Sequence, residues 1–442
     1  MVSLPCRPLP LNRRSAWRLA SLAAAALLSA CGGGDPVATP TSVGTTGGTP
    51  TVTDAGVIST ATVPAVGRGA PATFYVTGTS LENVVPSING CASVESSISN
   101  KSIVVQCTAV TASSTLTLTL TSQGQAIKTV AVPVITISSM ALTRLNGVDV
   151  SSAPPATLKF GDRVTYLLQG ANLDPDKGGT IQLDGCVRQF PETNSADGTT
   201  YKIHCDIADT APTLTFLDAQ GYPITNGQVS PTVSTTKPVV TFTYMNEANS
   251  SDTFNVDVEL QNDVAPRAAY NFLFYALPPV SINNSVAPSG TAFYASTVFH
   301  ESSSSSADGT FLAAGIYKTS TTNSANGLAL QTGTKGPLIG LELKSGTTGS
   351  ALSNTRGFVA GVPPQNLDFT SRPLYLINLG DNSALFDDQL AVFGVVNNAT
   401  QLTNLETKVQ QPGTQSITGD DGVVLGTVPS TRYKVSAVSV SR

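Results

Sequence analysis

The stretch FNVDVELQNDVAPRAAYNFLFYA, residues 254–276, decides how the C-terminal half of the chain is read. Over residues 254–260 apolar and polar side chains alternate, the period of a strand with one face buried. Pro266 then suits the first turn of a helix, where an N–H is not needed, and Ala269, Phe272, Leu273 and Ala276 share one face at helical spacing. That face is predicted to pack on a sheet. Strand-like runs lie at residues 239–244 before this stretch and at 297–300, 311–314, 357–360, 374–379, 390–396 and 435–440 after it, separated by Gly-rich or Asp-Gly turns. One early helix among many strands, with a closing strand at the end, implies a barrel with helical caps.

The rest of the chain extends the same β texture. Its 442 residues make about three domains' worth at roughly 150 residues each. Charged residues are only 12% against 40% hydrophobic, with 38 Gly and 28 Pro, a profile of short strands joined by turns that disfavours a helical bundle. A formal charge of -5 and the lack of a Lys/Arg cluster exclude nucleic acid as a partner. His204 and His300 are the only histidines, too few for a multi-histidine metal centre or a histidine relay. No metal site or cofactor is read from the sequence, which also has no phosphate loop, nucleophile elbow or HExxH helix.

At the N-terminus, Arg13, Arg14 and Arg18 precede an apolar run over residues 19–28, too short to span a bilayer that takes about 20 residues. Residues 28–31, LSAC, resemble the bacterial lipobox, which implies a signal peptide over 1–30 and lipidation of Cys31. Gly32 and Gly33 follow it in place of the aspartate that retains lipoproteins at the inner membrane. The expected location is therefore the cell envelope, lipid-anchored at the outer membrane. Residues 31–55 lack large apolar side chains and read as a flexible tether. Two similar segments follow, placed at 56–136 and 137–235. Each has a Gly-bearing strand (Gly78, Gly170) and two cysteines, with the corresponding cysteines 95 and 98 residues apart. In an oxidising compartment Cys91 is expected to pair with Cys107 and Cys186 with Cys205. The phrases VTGTSL and LQGANL look like the start of immunoglobulin-like modules, so two β-sandwiches are expected before the barrel.

The barrel segment, placed at 238–442, carries a more specific likeness. VELQNDVAPRAAYNFLFYA (258–276), STVFH (296–300), LSNTRGFVAG (352–361), LYLINLGDN (374–382) and AVFGVV (391–396) together resemble the bacterial cyclophilin-type peptidyl-prolyl cis-trans isomerases. The resemblance implies an apolar pocket for a proline ring, here Phe311, Leu312, Leu376, Phe386 and Leu390. It also implies an arginine directly after Phe-His and a glutamine on the next strand. These positions are taken by Glu301 and Ala314, while Leu374, Leu385 and Leu390 replace further polar or aromatic members. Arg372 is the candidate replacement cation, and residues 302–306 are expected to lengthen a mobile loop beside the pocket. Proline-containing segments of envelope proteins are the expected partners. Two functions fit: a weak isomerase with a degenerate site, or an inactive binding or surface-interaction lipoprotein using the modules and the barrel as recognition scaffolds.

Overall fold

The computed structural model describes residues 51–56, 65–174, 178–188, 193–279, 290–320, 327–331, 339–340, 342–343, 352–362, 369–370, 373–420 and 422–442. The segment 1–30 expected as a signal peptide, Cys31 and Arg372 lie outside the described residues. The chain is mainly β, as its composition implies.

Residues 51–55, read from composition as the end of a tether, instead belong to a strand, Thr51–Gly56, paired antiparallel with Ala72–Thr79. The alternating Thr-Val-Thr at its start has the strand propensity that a composition reading passes over. The boundary expected at 136/137 falls inside one 21-residue strand, Gln125–Leu145. Its first half pairs with Thr115–Ser122 and its second half with Arg163–Ala171, so both segments share a sheet. Gly170 sits at a register shift in that pairing, where an added Cβ would meet the Thr136 carbonyl oxygen at 1.8 Å. Only glycine lets the two backbones approach this closely. Cys91 and Cys107 are disulfide-bonded with Cα atoms 5.6 Å apart, and Cys186 and Cys205 with Cα atoms 5.7 Å apart. Each bond lies within one segment.

The C-terminal region closes into an eight-stranded barrel. In chain order its strands are β1 (Val239–Asn246), β2 (Thr253–Leu260), β3 (Thr297–Ser305), β4 (Gly309–Thr319), β5 (Phe358–Gly361), β6 (Tyr375–Asn378), β7 (Ala391–Val395) and β8 (Tyr433–Ser441). Around the barrel the order is β3, β8, β1, β2, β7, β5, β6, β4, and β4 returns to β3. Closure leaves the barrel without a free edge. The serine tract expected as a mobile loop is instead strand: Ser302, Ser303, Ser304 and Ser305 pair with Leu312, Phe311, Thr310 and Gly309. Serine accepts extended backbone, and Gly309 at φ 90 supplies the turn.

The interior is aromatic. Tyr244 stacks on Phe299 with ring centroids 4.9 Å apart, and its hydroxyl lies 3.2 Å from that of Tyr375. Helix α1 (Pro266–Ala276) plugs one end, with Ala269, Phe272, Leu273 and Ala276 buried as the spacing predicts. Its opposite face is buried too. Tyr270 donates to Asp206 Oδ2 at 2.6 Å, and Phe160 and Ala208 of the preceding segment join the barrel core. Asp206 also accepts from Arg163 Nε at 2.7 Å and Nη2 at 3.0 Å. The helix has no side-chain N-cap of its own. The Glu342 carboxylate takes that role, accepting from the Arg267 and Ala268 N–H groups.

On the outer face of β3, His300 is 5% exposed, with its ring centroid 5.1 Å from that of Tyr317. Its Nδ1 has no hydrogen-bond partner among the described residues. Tyr317 belongs to an apolar cluster with Val298, Leu328, Ile417 and Val428, shared with the hairpin Thr414–Thr418/Val424–Pro429. Burial pushes the His300 pKa down to about 4, against a hydrogen bond to the Val298 backbone that raises it.

Two outcomes follow from this packing. Asp206→Ala removes the carboxylate shared by Arg163 and Tyr270 and is expected to cost about 3–5 kcal/mol in urea unfolding; a loss below about 1 kcal/mol would show that the contact is dispensable. Between pH 6.5 and about 4 the unfolded chain takes up a proton that folded His300 refuses. Stability from this residue is therefore complete above pH 6.5 and is lost as pH falls toward 4. His300→Phe should flatten the acid limb of a plot of urea midpoint against pH, and curves parallel to the parent protein would contradict this.

Candidate functional site

Pairing across the barrel sorts the sequence-predicted site residues by face. One row runs Glu301, Ala313, Leu376, Ala360, Val392 across β3, β4, β6, β5 and β7. Directly paired residues share a face. The last four members of the row belong to one apolar cluster with Phe311 and Leu390, against which Phe386, Phe358, Leu352, Leu374 and Val362 pack half-buried. The Phe311 and Phe386 rings meet edge to face with centroids 5.7 Å apart. The structure thus brings Phe311, Leu376, Phe386 and Leu390 together.

Leu312 and Ala314 go elsewhere. The neighbouring row, Phe299, Ala314, Tyr375, Gly361, Ala391, faces the barrel interior, and Leu312 lies in the same core, fully buried. Alternation along β4 makes this unavoidable: if Phe311 and Ala313 look outward, Leu312 and Ala314 look inward. The residue facing the cluster from the end of this run is Ala313, one position before the expected Ala314. Beyond it Gly315 takes φ 107, with the Pro373 carbonyl oxygen 2.2 Å from where a Cβ would stand. That bend, together with the register shifts around Phe299 and Glu301, ends the simple pairing.

Glu301 heads the apolar row and is exposed. Desolvation by the surrounding protein, and then the charge of Asp308, raise its acid above the ordinary glutamate range. An ionised carboxylate at this position only accepts hydrogen bonds. Leu385 is half-buried in helix α2 (Ser383–Phe386) and is not among the cluster residues.

Behind the cluster lies a network of three buried asparagines that the sequence reading quoted within motifs but did not assign. Asn382 donates through Nδ2 to Asn378 Oδ1 at 2.6 Å and to the Thr310 carbonyl at 2.9 Å, and accepts from Thr310 N–H at 2.8 Å. Asn378 donates to Asn354 Oδ1 at 3.2 Å, and Asn354 N–H donates to Asp387 Oδ1 at 2.7 Å. These bonds tie the start of β4, the end of β6, the loop before β5 and the end of α2 into one frame. The polar residues embedded in apolar motifs, Asn354 in LSNTRGFVAG and Asn378 in LYLINLGDN, were the available signal.

The arrangement is a buried apolar cluster, Leu376 being 3% exposed, with Phe358, Leu374 and Phe386 half-buried at its rim and the exposed Glu301 at the head of its central row. Residues 245–424 match the family model described as Cyclophilin type peptidyl-prolyl cis-trans isomerase/CLD. No match was found among curated proteins. Among solved structures, a cyclophilin type peptidyl-prolyl cis-trans isomerase of Cryptosporidium parvum, determined in the presence of the dipeptide Ala-Pro, is 14% identical. That alignment covers 47% of this chain and 99% of the other, with a TM-score of 0.29. The S-layer protein SbsC, domains 5-6, is 20% identical over 42% of this chain and 98% of that one, with a TM-score of 0.15. The assignment rests on the family match: residues 245–424 form a cyclophilin-type peptidyl-prolyl cis-trans isomerase domain.

Proposed function

We propose that the barrel binds X-Pro segments of envelope polypeptides on the outer face centred on Leu376, with weak or no isomerisation. In this reading Cys31 anchors the chain by its lipid, and two immunoglobulin-like modules carry the barrel. The observation that supports it most is the apolar row headed by Glu301. An X-Pro bond turns over a barrier of about 18–20 kcal/mol because amide resonance is lost. Catalysis therefore needs a group that binds the twisted form better than the planar one. In this reading a proline ring packs on the half-buried rim of the cluster, Phe358, Leu374 and Phe386, while the row begins with an acceptor. Loss of one such donor commonly costs about two to three decades in rate.

The purified chain should bind X-Pro peptides in titration while accelerating their cis-trans exchange little above background. Failure to bind any of a range of such peptides would sink the reading. Glu301→Arg should raise the catalysed rate about tenfold or more if only the donor is missing. Ala314→Gln, by contrast, forces an amide into the interior beside Phe299 and Tyr375 and should lower stability by about 1–3 kcal/mol without restoring turnover. For the anchor, Cys31→Ser is expected to shift the protein from the membrane to the soluble fraction on cell fractionation; retention in the membrane would count against lipidation.

A further inference from the structure

Three exposed carboxylates, Glu301, Asp308 and Asp388, lie on or next in chain to the elements that form the apolar cluster. Glu301 heads its central row, Asp308 acts electrostatically on Glu301 from the turn between β3 and β4, and Asp388 lies between Phe386 and Leu390 of the cluster. All three are exposed, and none forms an ion pair among the described residues. Carboxylates elsewhere in the barrel are engaged: Glu406 with Arg356, Asp252 with Lys408 and Glu247 with Arg432. Among the described residues, the apolar cluster is thus edged by negative charge that no ion pair offsets.

Resting on the proposed X-Pro binding, we infer that the face selects extended polypeptides carrying a lysine or arginine within two residues of the proline. Spacing supports the distance. Glu301 and Leu376 are separated by two strand spacings, about 10 Å. In an extended ligand two residues span about 7 Å, and a long cationic side chain covers the remainder. The ionised carboxylate at the row's head would hold that cation by a charge-assisted hydrogen bond, while the apolar row takes the ring. A glutamate at the same ligand position would meet like charge.

The test uses the full chain and three proline peptides identical except for Lys, Gln or Glu two residues from the proline, titrated near neutral pH at low salt. The Lys peptide should bind about two- to fivefold tighter than the Gln peptide, and the Glu peptide weaker by a similar factor. The spread should shrink as salt is raised. Glu301→Gln, nearly isosteric at an exposed position, should bring the Lys-to-Gln ratio close to one, and Glu301→Lys should reverse the order. Equal binding of all three peptides, or a preference that survives Glu301→Gln, overturns this inference and leaves the X-Pro reading standing. Absence of binding by every peptide overturns both.

Discussion

Closure of the sheet between β3 and β4 is the constraint on which the remaining geometry depends. Once the last gap is hydrogen-bonded, every strand must commit alternate residues to the aromatic interior and to an outer face. Phe299, Ala314 and Tyr375 are bound to one side as surely as Glu301, Ala313 and Leu376 are bound to the other. The outer row owes its straightness to this closure. A one-residue slip would exchange the two rows and put a carboxylate among the buried tyrosines.

Much of the barrel was legible because its signals are local. Alternation at residues 254–260 and the helical spacing of Ala269, Phe272, Leu273 and Ala276 depend on neighbours in the chain, and both appear as read. The cysteine pairs were legible for the same reason, since each closes a short loop. Facing was harder. Whether Leu312 or Ala313 points outward depends on the bend at Gly315 and on register shifts between β3 and β4, which involve partners far apart in sequence. The second buried face of α1 was invisible for a related reason: what covers Tyr270 is Asp206, 64 residues earlier. Its polar hydroxyl gave no hint of burial until a partner was in view.

The asparagine frame shows how an apolar face is kept from collapsing or drifting. Asn354, Asn378 and Asn382 are at most 2% exposed, and each is engaged with backbone or with another asparagine. Buried amides left unmatched would be costly, so the loops at this end have one arrangement that satisfies them all.

The long strand Gln125–Leu145 has a mechanical meaning. It spans about 70 Å when extended. It is bonded first to Thr115–Ser122 and then to Arg163–Ala171, so a pull along the chain meets hydrogen bonds on both segments in shear rather than one by one. No flexible joint lies between the segments along this strand. Tension applied at one of them would pass into the other through this one strand.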